Sequence, residues 1–260
     1  MGHIHLGVLP RSKAWREVID LLQSGASSRQ VVQASADAAE RSLSKAADNP
    51  DFVEIVRLLA MIPQAAKSDG FGRALRDLGI PVRDDPELIH ILAATGGWLD
   101  RFARQHGNRD DFGEMARRTF LSTLSTETGS GLPGLFEATP ADVKAATRNL
   151  ATSTGFSRFA RGFFTQLLSN SLGYWLDRTL SAQMGADSRF SDLHDRSAFD
   201  AALRQYSFEA TRIISEFAGG WYGVTLHREK EISSTQATVF GAVAFKKISA
   251  ELQRKRGPDA

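Results

Sequence analysis

The sequence predicts an all-α protein, a compact multi-helix bundle of about eight to ten helices. Three observations carry that prediction. Apolar residues recur three or four positions apart through most of the chain, helix-start chemistry precedes several of these runs, and convincing strand alternation is absent.

In chain order, Ser12 can cap a helix whose inner face holds Trp15, Val18, Ile19 and Leu22, closing near Gly25 where a left-handed residue is wanted. The segment "SSRQVVQASADAAERSLSKAAD" follows with Ser27 or Ser28 as cap, its many alanines favouring both helix formation and close helix approach. In "NPDFVEIVRLLAMIPQAAK", Val53, Val56, Leu59 and Ala60 share a face until Pro63, which is expected to break or kink the helix. "FGRALRDLG" belongs to a further helix. "DDPELIHILAATGGWLDRFARQHG" is read with Asp85 as N-cap, Pro86 at the first helical position, and a weak point at Gly96 and Gly97. "RDDFGEMARRTFLSTLST" is the next helix.

The Gly/Ser/Pro/Thr cluster "ETGSGLPGLFEATP" marks a soft division. It separates a lobe at 1–125 from one at 140–260, joined by 126–139, with one continuous domain as the alternative. The second half restarts at Thr139, Pro140 and Asp142, which are cap, first-turn proline and first-turn acid. The central helix is then expected in "GFSRFARGFFTQLLSNSLGYWLDRTLSAQMG", where Phe156, Phe159, Phe163, Leu167, Trp175 and Leu176 make a stripe widened by Phe164, Leu168 and Leu172. One long helix from a Ser197 cap would turn Phe199, Leu203, Tyr206, Ala210, Ile213, Ile214, Phe217 and Trp221 inward. The final helix would bury Val239, Phe240, Val243, Ala244, Ile248 and Leu252 and end in basic residues that suit its dipole. Two short stretches, "HIHLGVL" and "GVTLHREKEIS", leave room for a minor two-strand ribbon.

With 260 residues, 42% of them hydrophobic, the chain can build a sizeable core without staples. The absence of cysteine excludes disulfides, thiolate zinc sites and cysteine nucleophiles, and makes a reducing bacterial cytoplasm the expected compartment. A signal peptide is not expected because "MGHIHLGVLPRSKAW" lacks a basic n-region and a continuous apolar h-region, nor a membrane span because no window approaches the ~18 uncharged apolar residues that spanning needs. A net charge of +2 is far from the concentrated positive charge of a dedicated nucleic-acid binder.

Catalytic signatures are scarce. His3 and His5 would share a face of an extended arm and could reach one zinc, with Asp192, His194 and Asp195 as further ligands, but a docked N-terminal arm is the plainer reading. The His-x-His pair is also found on the first strand of amidohydrolase barrels, whose eight alternating strands and helices this chain lacks. Carboxylates at Asp110, Asp111 and Glu114, or at Glu209 and Glu216, can share a helical face, as solvated carboxylates commonly do. Gly-x-Ser-x-Gly, phosphate-loop and dinucleotide-binding patterns are missing. No cofactor is expected.

Two surfaces remain. Lys246, Lys247, Arg254, Lys255 and Arg256, with Arg228 and Lys230 just before them, could meet a few phosphates, or could simply be a solvated helix end. An aromatic concentration at Phe156, Phe159, Phe163, Phe164, Tyr174, Trp175, Trp221 and Tyr222 is interleaved with Arg158 and Arg161; its helical spacing favours a core over a base-stacking platform.

The stretches "GVLPRSKAW", "EFAGGWYG" and "FGAVAFKKISAEL" resemble the ends of all-helical accessory proteins of unassigned activity encoded in bacterial anti-phage defence operons. The resemblance covers about a sixth of the chain, implies an adaptor that works with operon partners, and transfers no catalytic motif or site residue. The leading expectation is therefore a non-enzymatic interaction protein that binds another protein or itself, with Arg158, Trp221 and Tyr222 as anchors because such side chains dominate binding hot spots. A nucleic-acid-binding accessory protein using the basic C-terminal face is the alternative, and a metal-dependent hydrolase using His3 and His5 the third.

Overall fold

A computed structural model describes residues 12–106, 110–134, 138–180, 190 and 193–254. Among the described residues the chain forms eleven α-helices and no strand: α1 (Lys13–Gln23), α2 (Ser28–Ala46), α3 (Pro50–Ala65), α4 (Phe71–Asp77), α5 (Leu88–Gln105), α6 (Asp111–Gly129), α7 (Pro140–Asn149), α8 (Ser153–Leu180), α9 (Leu193–Ala210), α10 (Arg212–Glu229) and α11 (Ser234–Arg254). The all-α class is as the periodicity predicts.

Helix starts follow local chemistry. Ser12 accepts from the Trp15 N–H, and Gly25 takes the left-handed φ of 73° that closes the turn after α1. Ser27 caps α2 reciprocally with Gln30: its hydroxyl accepts from the Gln30 N–H while its own N–H donates to the Gln30 side chain. Thr139 and Asp142 form the same device at α7. Asn49 caps α3 and Asp110 caps α6, and the two caps touch, the Asn49 amide donating to Asp110 at 2.7 Å.

The centre of the bundle is α3. It is buried on nearly every side and packs against α4, α5, α6, α7, α8 and α11. Phe52 lies in a nest of Phe112, Phe163, Phe164 and Phe245, with ring centroids from 5.2 to 6.4 Å away. A Cβ on Gly241 would come within 2.7 Å of this ring, so the backbone of α11 approaches Phe52 here through a residue that has none. Glu54, also buried, is held by the Nε and Nη2 of Arg57 at 2.8 Å and by the Trp98 indole N–H at 2.9 Å, which satisfies the charge inside the bundle. The 28-residue α8 forms the second axis, against α6, α9 and α10. Its Phe156, Phe159, Phe163, Phe164, Leu167, Leu168, Leu172 and Leu176 are all buried, while Trp175 is half-exposed beside Trp15. One contiguous apolar cluster runs from Trp15 to Leu252 and draws on both halves of the chain.

Several local expectations are corrected. Pro63 does not break α3, which runs two residues further; so near the helix end, a missing N–H removes only one closing bond. Asp85 and Pro86 stand outside α5, whose N-cap position is Glu87 with no side-chain bond. Gly96 and Gly97 sit inside an unbroken α5, because Gly96 faces Leu121 and Arg117 of α6 at close range. Ser197 lies within α9, which starts earlier, at Leu193.

The anticipated long helix is two. Buried Thr211 separates α9 from α10, its hydroxyl spent on the Ser207 carbonyl at 2.8 Å and on the Thr165 hydroxyl at 2.6 Å. The stretch from Gly223 to Glu229 is helical and not extended, and α10 closes on Lys230 at a φ of 62°. The other half of the suggested ribbon, residues 3–9, lies outside the described residues. Residues 126–129 of the expected connector belong to α6.

Candidate functional site

The α10–α11 hairpin carries an unusual outer surface. Lys230 donates its backbone N–H to the Leu226 carbonyl, Ile232 is buried beneath the turn, and Ser233 caps α11 reciprocally with Gln236. These contacts fix the two helices antiparallel. The inner faces pack through Ile214, Ala218, Gly219 and Tyr222 on α10 and through Ala237, Phe240, Ala244, Phe245, Ile248 and Leu252 on α11.

A second stripe runs along the outside. On α10 it contains Phe217, Trp221, Val224 and Arg228, three or four residues apart; on α11 it contains Val239, Val243 and Lys247. The stripes meet where the Lys247 ammonium lies 5.4 Å from the Phe217 ring, and beneath them Trp221 stacks on buried Phe240 at 4.2 Å. Val224 is 52% exposed, Val239 55% and Val243 36%, so the expectation that both α11 valines are buried is overturned. Gly241 and Phe245 take the inner places, since the neighbour they meet is Phe52 of α3.

The result is an apolar seam with cations around it. Arg228 and Lys230 stand at the turn end, Lys246 and Lys247 towards the other. Among the described residues none of these four makes an ion pair. Arg254, by contrast, is spent on Glu251 at 2.6 Å, and Lys255 and Arg256 lie outside the described residues.

The three suggested protein-binding anchors do not share a surface. Trp221 is half-buried at the seam. Tyr222 is only 2% exposed, stacked on Phe156 at 4.2 Å, with its hydroxyl against the Ala60 carbonyl at 3.5 Å; burial pushes its phenol pKa up. It is a core residue and is out of reach of a docked partner. Arg158 pairs with Glu127 of α6 at 2.8 Å, on another side of α8 from the one that meets α10. Nearby, the Arg161 guanidinium lies 3.9 Å from the exposed Phe208 ring and donates to the Phe208 carbonyl. Phe156, Phe159, Phe163 and Phe164 are core, as their spacing favours.

The chemical candidates also disperse. His3, His5 and Asp192 lie outside the described residues, while His194 and Asp195 open α9. Among the described residues no cluster of three or more His, Asp or Glu side chains is placed to hold a metal. Asp110 is a helix cap, Asp111 accepts from the Tyr174 hydroxyl, and Glu114 accepts from Arg117 and Arg118, which hold its carboxyl below the usual range. Glu216 pairs with Arg212, and Glu209 accepts from the Gln205 amide. Each of these carboxylates has a structural role where it stands. No described helix is long and apolar enough to cross a membrane.

The chain matches no protein-family model, no curated protein and no solved structure. Its function must therefore be read from its own surfaces. Sequence reasoning missed the exposed valines, although a signal was present: Ala237, Phe240, Gly241, Ala244, Phe245 and Ile248 already form a complete stripe, which leaves Val239 and Val243 on its flank.

Proposed function

We propose that the protein is a non-enzymatic interaction module that docks an acidic, amphipathic segment of a partner protein along the α10–α11 seam. The observation that carries this reading is the exposed row Val224, Val239 and Val243, with half-buried Trp221 beside it, on two adjacent helices and bordered by four cations that make no ion pair among the described residues. Apolar side chains in the centre supply burial, and the surrounding charges set orientation and speed encounter with an acidic segment. A second copy of the chain suits the seam poorly, because an isologous pairing would bring the same Lys and Arg side chains against one another. The resemblance of the chain ends to helical accessory proteins of anti-phage operons supports a partner encoded beside it.

The test compares capture of binding partners from the native host by the wild type, by Val239→Asp/Val243→Asp and by Lys246→Glu/Lys247→Glu, with melting temperature measured for each. A stoichiometric protein lost from both variants, while both melt like the wild type, is expected. Capture that survives both changes overturns the proposal. Recovery of nucleic acid alone, released steeply by salt and by the lysine reversal but not by the valine change, transfers the surface to phosphate binding.

A further inference from the structure

We infer that the cleft enclosed by the end of α3, by α7, by the start of α8 and by α10 is a binding site for a small polyphosphorylated ligand such as a nucleoside triphosphate. Its volume is about 950 Å³, at the upper end of the range of small-molecule sites. Lys67 approaches from the turn after α3, Lys144 and Arg148 from consecutive turns of α7, and His227 from α10. No carboxylate lines the cleft, and among the described residues none of the four makes an ion pair. Three full positive charges thus line one concavity without an ion pair among the described residues, which raises the local concentration of anions. Lys144 is positioned as well as charged, since its ammonium donates to the Asp69 carbonyl at 3.1 Å.

Two further features suit phosphate groups. The first turn of the 28-residue α8 opens at the cleft through Ser153, behind Thr152, whose hydroxyl already accepts from the Gly155 N–H; the positive end of that helix adds to the cations. Asn149, exposed at the end of α7, also lines the cleft and offers a side-chain amide donor. Ala145 and Leu226 supply an apolar side of the cleft against which an organic moiety can rest. The site is separate from the docking seam: Tyr222, Gly223 and Leu226 face the cleft, whereas Phe217, Trp221 and Val224 face α11 or solvent.

Isothermal titration of the full chain with ATP, with tripolyphosphate, with sulfate and with a single-stranded oligonucleotide tests the assignment. Saturable one-site binding of ATP is expected, weakened by about tenfold or more in Lys144→Glu/Arg148→Glu, because each lost charge-assisted contact is replaced by repulsion. Ala145→Trp, at an exposed position in the wall, blocks the cleft without altering charge and is expected to abolish binding while leaving the circular dichroism spectrum unchanged. Lys246→Glu/Lys247→Glu removes the same charge from the seam and is expected to bind ATP like the wild type. Tripolyphosphate binding as tight as ATP would keep the phosphate site and remove the role of the apolar wall. Absence of ATP binding, equal weakening by the two charge reversals, or preference for the oligonucleotide overturns the proposal.

Discussion

Gly219 and Gly220 are neighbours in the middle of α10, and the structure assigns them opposite consequences. A Cβ on Gly219 would lie 2.6 Å from the Ser153 carbonyl oxygen and 2.7 Å from the Ser157 hydroxyl, whereas one on Gly220 meets nothing within 4 Å. Gly219→Ala therefore forces α10 away from α8 and is expected to cost about 1–3 kcal/mol as overpacking. Gly220→Ala is expected to stabilise by up to about 1 kcal/mol, the ordinary gain of replacing an exposed helical glycine. Denaturant unfolding of the two variants measures both signs, and equal shifts would contradict the close approach of α8 and α10. The sequence shows the pair of glycines but not which one is in contact, because that depends on Ser153, more than sixty positions away. The same holds for Trp221 and Tyr222. Adjacent and chemically alike, they face the seam and the core respectively because successive residues of a helix point about 100° apart.

At the scale of elements, three caps were legible in the sequence, whereas those at Asn49, Asp110 and Ser233 were not anticipated. Ser12, Ser27 and Thr139 are found as expected, since the bond is closed within one turn and needs no partner from elsewhere. Asn49 and Asp110 add a tertiary link to the same chemistry. Asn49 accepts from the Phe52 N–H, Asp110 accepts from the Gly113 N–H, and the Asn49 amide bonds to the second Asp110 oxygen, tying the starts of α3 and α6 together. Asn49→Ala and Asp110→Ala are each expected to cost about 1 kcal/mol. In the double variant the effects should fall short of additivity by about 0.5 kcal/mol or more, because the link is already lost in either single variant. A double-mutant cycle by denaturant unfolding checks this, and strict additivity would mean that the caps act alone. The break at Thr211 was illegible for the converse reason: apolar periodicity continues through it, and only the partner hydroxyl on α8 reveals where the backbone changes course.

Across the whole molecule, α3 from the first half and α8 and α11 from the second meet around Phe52, and the apolar cluster is continuous. Unfolding is expected to proceed as one cooperative transition by calorimetry, with the two lobes melting together. Two resolved transitions, one of them retained in an isolated 140–260 fragment, would instead establish a boundary at the 126–139 connector. Both proposed surfaces also belong to this scale. The seam exists because α11 turns one of its two apolar stripes towards Phe52 and leaves the other outside, and the cleft exists because folding brings Lys67 beside Lys144, Arg148 and His227.

The sequence by itself determined the all-α class, the starts of α1, α2 and α7, and the buried stripe of α8. Each of these rests on hydrogen bonds and apolar spacings that span a few residues and are written consecutively in the chain. Only the tertiary structure decided which face of α11 is covered, that α9 and α10 are separate, that Tyr222 is core, and that Lys67 lines the same cleft as Lys144 and Arg148. Burial and electrostatic neighbourhood depend on the segment that arrives from elsewhere, and helical periodicity carries no record of that partner.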